Sequence, residues 1–275
     1  MKFHIPNAWL KEPLKIHLVG AGGNGSHMAD GLVTLAFTLK KLGHPGLDVT
    51  FYDCDEVSET NIARSQFYAH DIGHNKAIVL VNRINQFHNL NWKAVPANFD
   101  YSNRHLLKGS NLIITCVDSV KARRDIQGVL AYLHKQGDKD NYWLDMGNGA
   151  NFGQVIFGQF RPPKEREPSD CLRLKTVTDL YPEMLDESKD PVDADTPSCS
   201  VMESLFKQGM FINKLVATNA LYLLSSIFTE GGLDSHHGMF INAKSGITSP
   251  LRIDPDAWRR MAGKPPIKKN KQHTA

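Results

Sequence analysis

The sequence has no paired cysteines, no long apolar run and no excess of one charge. Its four cysteines, Cys54, Cys116, Cys171 and Cys199, lie far apart. Without a C-x-x-C pair they outline neither a structural zinc site nor a disulfide framework, and a reduced, cytoplasmic setting is expected. No stretch supplies the roughly 18 consecutive apolar residues of a membrane span, and MKFHIPNAWLKEPLK lacks the apolar core of a secretory leader. Neither secretion nor a membrane partner is expected. With 32 basic against 29 acidic residues the formal charge is +3, too small to argue for a nucleic-acid partner. The basic residues that do crowd together, Arg259, Arg260, Lys264, Lys268, Lys269 and Lys271, fall in a segment (259–275) read as a solvated tail. The 12 histidines show no ligand spacing, and the adjacent His236 and His237 are expected in a solvated loop.

What is present is a core-forming chain of 275 residues, 41% of them apolar. The segment that organises it runs from Lys15 to Lys76. Ile16 to Val19 is a short β-rich run that stops at GAGGNG, Gly20 to Gly25. Ser26 to Leu42 then carries apolar residues at helical spacing, and strand, glycine turn, helix is the opening of a βαβ unit. Leu47 to Tyr52 gives a second strand ending at Asp53. Helices over 75–87 and 119–134 and strands over 92–97, 112–117, 142–146 and 154–160 continue the alternation. The expected fold is α/β: a Rossmann-like, doubly wound, mostly parallel sheet.

Composition changes after Phe160. Residues 161–199 mix Pro, Asp, Glu and Lys without periodicity and read as a long crossover loop. Ser200 to Phe228 reads as one long apolar helix opened by a capping box of Ser200 and Glu203, and 239–253 as a closing β-hairpin. The expected organisation is therefore a nucleotide-binding core over 1–160, the loop over 161–199, a helix and hairpin over 200–258 completing the same domain, and the basic tail.

Gly20, Gly22 and Gly25 sit at the G-x-G-x-x-G spacing, with Gly23 between them, after a strand and at the start of a helix. There the backbone can approach a phosphate, and the helix N-terminus offers free N–H groups. The bland alternative is a tight turn with no ligand. Asp53, at the tip of the second strand, is placed to accept from ribose hydroxyls. These features alone favour NAD. Asn61, Arg64 and Gln66, followed by Lys76 at a helix start, change that balance. An amide and two positive charges just beyond the ribose suit a triphosphate and its departing pyrophosphate, and nicotinamide chemistry has no use for them. Arg64 alone could be a surface partner of Asp55 or Glu56, and Lys76 a solvated helix residue. Asp118 follows a buried strand at the carboxyl edge of the sheet and suits Mg²⁺ among phosphate oxygens; alternatively it caps the next helix.

GAGGNG, FYDCDEVSETNIARSQF, IGHNKA and TCVDSVKAR together resemble the adenylating domain of the ThiF, MoeB and HesA group, relatives of the E1 enzymes that activate ubiquitin. The likeness covers about residues 15 to 125. The later segment around Ser198-Cys199-Ser200 is similar to ThiF-like proteins of bacterial PRTRC cassettes. The resemblance implies ATP and Mg²⁺ as cofactors, and as partner a ubiquitin-like or sulfur-carrier protein with a C-terminal glycine. It also implies that Gly20, Gly22, Gly23, Gly25 and Asp53 hold the nucleotide, that Asn61, Arg64 and Lys76 bind its phosphates, and that Asp118 organises the metal. The paired zinc cysteines of many members are absent, and so is an arginine in the N-terminal arm.

Cys199 lies just before the expected helix, where the helix dipole would favour thiolate, and is the candidate to receive the carrier as a thioester. Cys171 is a weaker candidate, and Cys54 and Cys116 are expected to be packed. Two other readings stay open: an NAD-dependent oxidoreductase, which leaves Arg64, Lys76 and Asp118 without roles, and a non-catalytic scaffold. The apolar breadth of the 200–228 helix points to a homodimer.

Overall fold

The computed structural model of the chain describes residues 2–62, 64–107, 109, 112–162, 173–186, 188, 209–263 and 265. After β1 (Phe3–His4) and α1 (Asn7–Lys11) come β2 (Leu14–Val19), α2 (Gly23–Lys41), β3 (Leu47–Tyr52), the short α3 (Glu59–Ile62), α4 (Lys76–His88) and β4 (Lys93–Val95). Then follow β5 (Leu112–Thr115), α5 (Val120–Lys135), β6 (Tyr142–Asn148), β7 (Phe152–Gln159) and α6 (Val177–Leu180). The chain closes with α7 (Ile212–Thr229), β8 (Gly232–Leu233), β9 (His236–Asn242), β10 (Ile247–Arg252) and α8 (Pro255–Met261).

Eight strands make one sheet in the order β10-β9-β7-β6-β5-β2-β3-β4. β6, β5, β2, β3 and β4 run parallel, while β7, β9 and β10 extend the sheet antiparallel. Helices cover both faces of the parallel half, so its inner strands are buried on both sides: all four residues of β5 and the last four of β2 and of β3 are buried. From β2 the chain steps one way, to β3 and β4; from β5 it steps the other way, to β6. Right-handed crossovers then put α2 and α4 on one face and α5 on the other. The reversal between β2 and β5 opens a crevice at the carboxyl ends of these strands, where open α/β sheets bind ligands.

The opposite end of the sheet is closed by aromatic packing. Phe3, Trp9, Tyr142 and Phe157 meet with ring centroids 5.0–6.4 Å apart, and Phe228 of α7 stacks on Trp9. Such pairs add about 0.5–1.5 kcal/mol each beyond area burial. Residues 3 and 4 pair antiparallel with 232 and 233, tying the N-terminal strand to the end of α7.

Several expectations are corrected. The long helix does not run from 200 to 228: it begins at Ile212, because Gly209 turns back to donate its N–H to the Ala150 carbonyl (3.0 Å) and Gly209 to Phe211 are not helical. Residues 200–208, with their capping box, lie outside the described residues. Part of the crossover loop is core: Leu174, Val177 and Leu180 are buried, and Arg173 bonds Asp179 at 2.7 Å. His237 is not solvated; it lies inside β9, fully buried, its Nδ1–H donating to the Phe157 carbonyl at 2.6 Å. Arg259 and Arg260 belong to α8 and not to a tail. The apolar breadth of α7 is largely used within the fold, by Val216, Ala220, Leu223, Leu224 and Ile227.

Candidate functional site

The crevice is built on the glycine loop. Gly20 has φ +88°, and a Cβ there would lie 2.8 Å from the Cys116 carbonyl oxygen, so the turn requires glycine. At Gly25 a Cβ would stand 1.9 Å from the Gly20 carbonyl oxygen; only glycine lets α2 begin so close to the strand. The first bond of α2 runs from the Ser26 N–H to the Gly22 carbonyl (2.9 Å). The N–H groups of Gly23, Asn24 and Gly25 therefore precede the helical ladder, as an anion cradle needs.

Asp53, at the tip of β3, fixes this loop. Its Oδ2 accepts the Ala21 N–H at 2.6 Å and its Oδ1 the Asp55 N–H at 2.9 Å. Burial pushes its carboxyl above the ordinary value, opposed by the Lys76 charge and by these two N–H groups. Each oxygen keeps a lone pair for a ribose hydroxyl.

Lys76 is not a solvated helix residue. Its side chain is 11% exposed and its Nζ sits 2.8 Å from Asp55 Oδ2. Burial works against the Asp55 carboxylate, but the bond and charge of Lys76 outweigh it and hold it below its ordinary value. Arg64 is half-buried, and burial draws its guanidinium below the ordinary value while Asp118 opposes that shift. Asp118, which follows β5, thus acts electrostatically on Arg64. Asp118 does not cap α5: Ser119 does, its Oγ accepting the Ala122 N–H at 3.2 Å. Asp118 stays exposed at the strand edge. Asn61 is buried, with its Oδ1 accepting from the Ser58 N–H and Oγ–H at 2.9 and 3.1 Å; only its NH₂ can face a phosphate.

The glycine loop, Asp53, Asn61, Arg64, Lys76 and Asp118 therefore converge on one edge of the sheet. Cys199 and Cys171 lie outside the described residues. Cys54 is exposed instead of packed, and burial together with Asp55 pushes its thiol up, away from thiolate. Asp53, Cys54 and Asp55 bring their ligand atoms within 4.8 Å of one another, but Asp55 is already held by Lys76. A single exposed carboxylate such as Asp118 fits Mg²⁺, which takes one or two carboxylates and fills its remaining positions with phosphate oxygens and water.

Other residues of the site come from the packing. Asn75 caps α4, its Oδ1 accepting the Ile78 N–H at 3.1 Å, and its Nδ2 donates to the carbonyls of Asp53 (2.8 Å) and Asp55 (3.1 Å). The expected helix of 75–87 included Asn75; Asn75 instead stands before α4 as its cap and ties it to the turn after β3. His27 of α2 accepts from Gln66 Nε2 (3.0 Å) and bonds the Arg64 backbone; burial draws its imidazole below the ordinary value. Beneath Asp118, Arg123 bonds the buried Asp145 (3.1 Å) and the Val117 carbonyl (2.9 Å), and Thr115 donates to Asp145 at 2.7 Å. No described helix is long and apolar enough to cross a membrane.

The model of the ThiF family matches residues 10–249. Crystal structures of similar fold include PaaA, 16% identical over 87% of this chain and 64% of its own length, with a TM-score of 0.55. E. coli MccB with ATP is 15% identical with the same coverage and a TM-score of 0.54, and MccB with AMPCPP and MccA gives 15% and 0.52. The chain thus spans just under two thirds of these proteins' length, and at such identities the likeness establishes the fold. A comparison with curated proteins gives no significant match.

Proposed function

Because the chain belongs to the ThiF family, we propose that it is an ATP-dependent adenylyltransferase acting on the C-terminal carboxylate of a ubiquitin-like or sulfur-carrier protein that ends in glycine. A carboxylate oxygen of that terminus attacks the α-phosphorus, the bond from this phosphorus to the bridging oxygen breaks, and pyrophosphate leaves with the electron pair. The product is an acyl-adenylate. No proton need be moved, so the protein's task is positioning and charge.

The observation that carries the proposal is the pairing of Asp53 with the glycine loop on the same edge that presents Arg64, Lys76 and Asp118. The loop N–H groups and Asp53 hold the nucleotide. Lys76, leaving Asp55 for the phosphates, and Arg64 offset the charge that develops on the departing pyrophosphate; the Asn61 NH₂ adds a donor. Asp118 would hold Mg²⁺, which would supply further neutralisation of that charge. An NAD-dependent oxidoreductase gives Arg64, Lys76 and Asp118 nothing to do. The crystal structures of E. coli MccB with ATP and with AMPCPP and MccA support a nucleotide site on this fold.

Two further parts extend this reading. Cys199 would take the acyl group when its thiolate attacks the acyl carbon and AMP leaves; the support is its place in the sequence. A homodimer is supported by Met210, Phe211 and Tyr222, apolar side chains 55–72% exposed near or on α7. The test of the central reading is ATP–pyrophosphate exchange with peptides ending in Gly-Gly. Exchange in the wild type that collapses in Asp118→Ala is expected; exchange retained in that variant would remove Asp118 from metal binding.

A further inference from the structure

Three asparagines meet where the glycine loop, the end of β6 and the start of α7 come together. Asn24, in the first turn of α2, donates from Nδ2 to Asn148 Oδ1 at 2.8 Å. Asn148 in turn donates from Nδ2 to the Gly149 carbonyl at 3.3 Å. Asn213 lies against the loop, its Nδ2 2.4 Å from where a Cβ at Gly23 would stand. Asn24 is 7% exposed, and its Oδ1 is buried with no hydrogen-bond partner among the described residues.

The polarity of this chain is fixed at its far end. A backbone carbonyl only accepts, so Asn148 must point its NH₂ at Gly149 and its oxygen at Asn24. Asn24 must then donate to Asn148, and the atom left over is an oxygen. Turning either amide around would set two oxygens or two NH₂ groups against each other. The free end is therefore an obligate acceptor, and leaving it unmet is costly. Phosphate and carboxylate oxygens cannot satisfy it, since they carry no proton. The missing group is an N–H or O–H donor.

Its place in the crevice selects among donors. Asp53 draws the nucleoside to the β3 side of the switch point, and the α2 N-terminus takes the phosphates. The Asn24 side chain reaches from that N-terminus to Asn148 at the end of β6, on the opposite side of β2 from β3, which is the side left for the acyl partner. We propose that Asn24 Oδ1 accepts a backbone N–H from the last peptide bonds of the incoming acyl chain, so that the site selects a peptide tail over a simple carboxylic acid. This assignment rests on the adenylation reading for the identity of the acyl partner. It adds the group that reads the tail and the direction of the bond.

The probe is a decapeptide ending in Gly-Gly-Gly, compared with two isosteres in which one of the last two peptide N–H groups is replaced by an ester oxygen. Binding is measured by calorimetry with a non-hydrolysable ATP analogue present, and pyrophosphate exchange is measured in parallel. One isostere is expected to bind wild type about tenfold more weakly, the worth of one hydrogen bond. In Asn24→Leu the peptide and that isostere are expected to bind alike. Equal binding of all three probes to wild type, a difference that survives in Asn24→Leu, or no peptide binding at all would overturn the proposal. So would a loss in Asn24→Leu confined to the ATP analogue, which would give the acceptor to a ribose hydroxyl. Discrimination without exchange would retain the subsite and remove the adenylation chemistry; exchange without discrimination would do the reverse. The wild-type comparison needs no substitution, so a misfolded variant does not decide it.

Discussion

Replacing Lys76 with methionine separates a phosphate-binding lysine from a structural one. The stem of Lys76 is packed, its side chain only 11% exposed, while its partner Asp55 is 63% exposed. Methionine preserves most of the stem's packing. The ion pair it removes is open to solvent on the Asp55 side, and such pairs contribute about 0–1 kcal/mol. Asp55, left alone, is rehydrated in place. For a chain of this size the melting temperature should fall by no more than about 4 °C. If Lys76 swings to the phosphates, however, the same substitution removes a charge that faces the developing pyrophosphate. Losses of that kind run to about 10²–10³ in rate. Pyrophosphate exchange and thermal denaturation of the same preparation therefore give opposite readings: near-native stability with exchange lowered at least a hundredfold. A variant that melts far below wild type, or that exchanges within about threefold of it, would refute the assignment of Lys76.

Arg123→Met should cost about 3–5 kcal/mol and about 10 °C in melting temperature, since it leaves the fully buried Asp145 without its guanidinium; a loss under about 3 °C would contradict the buried-pair account. Gly25→Ala puts a methyl 1.9 Å from the Gly20 oxygen, so ATP binding should be lost even where the chain still folds, and unchanged ATP affinity by calorimetry would count against the loop geometry. His17 and His237 are both buried, and burial lowers each from about 6.5 to about 4. The unfolded chain takes up these protons first as pH falls, so stability is full above about pH 6.5 and declines down to about pH 4. Each histidine is worth up to about 3 kcal/mol over that window; a denaturation midpoint flat from pH 7 to pH 4.5 would oppose this.

The parts of the site that were legible in the sequence are those written in one contiguous stretch. The glycine turn, the strand tip at Asp53 and the Asn61–Arg64 run follow one another, and local chain geometry places them together. Asp118 was legible because a buried strand must end at the sheet's carboxyl edge. What could not be read is pairing across sequence distance. Asn24 meets Asn148 at a separation of 124 residues, and neither position has a local signature. The same holds for the pairing of Lys76 with Asp55, which displaced the simpler expectation of a solvated lysine. The start of α7 was misplaced because apolar spacing continues upstream of Ile212, while a single backbone bond from Gly209 to Ala150 ends the helix there. His237 was misread because nothing local in His236-His237-Gly238 marks its burial, which comes from distant elements: the Phe157 carbonyl of β7 and the Trp258 ring of α8, 5.0 Å away. Within the crossover, Leu174 and Val177 were hidden among charged residues although they pack into the core.

The central claim, that this crevice holds ATP and not a nicotinamide dinucleotide, is tested most directly by a thermal-shift titration with ATP plus Mg²⁺ beside NAD⁺ and NADH. A ligand present at about 100 times its Kd stabilises the folded state by about 2.7 kcal/mol, which corresponds to roughly 5–11 °C here. The account predicts a saturating rise with ATP and Mg²⁺ and none with either dinucleotide. A rise with NAD⁺ or NADH and none with ATP would contradict it.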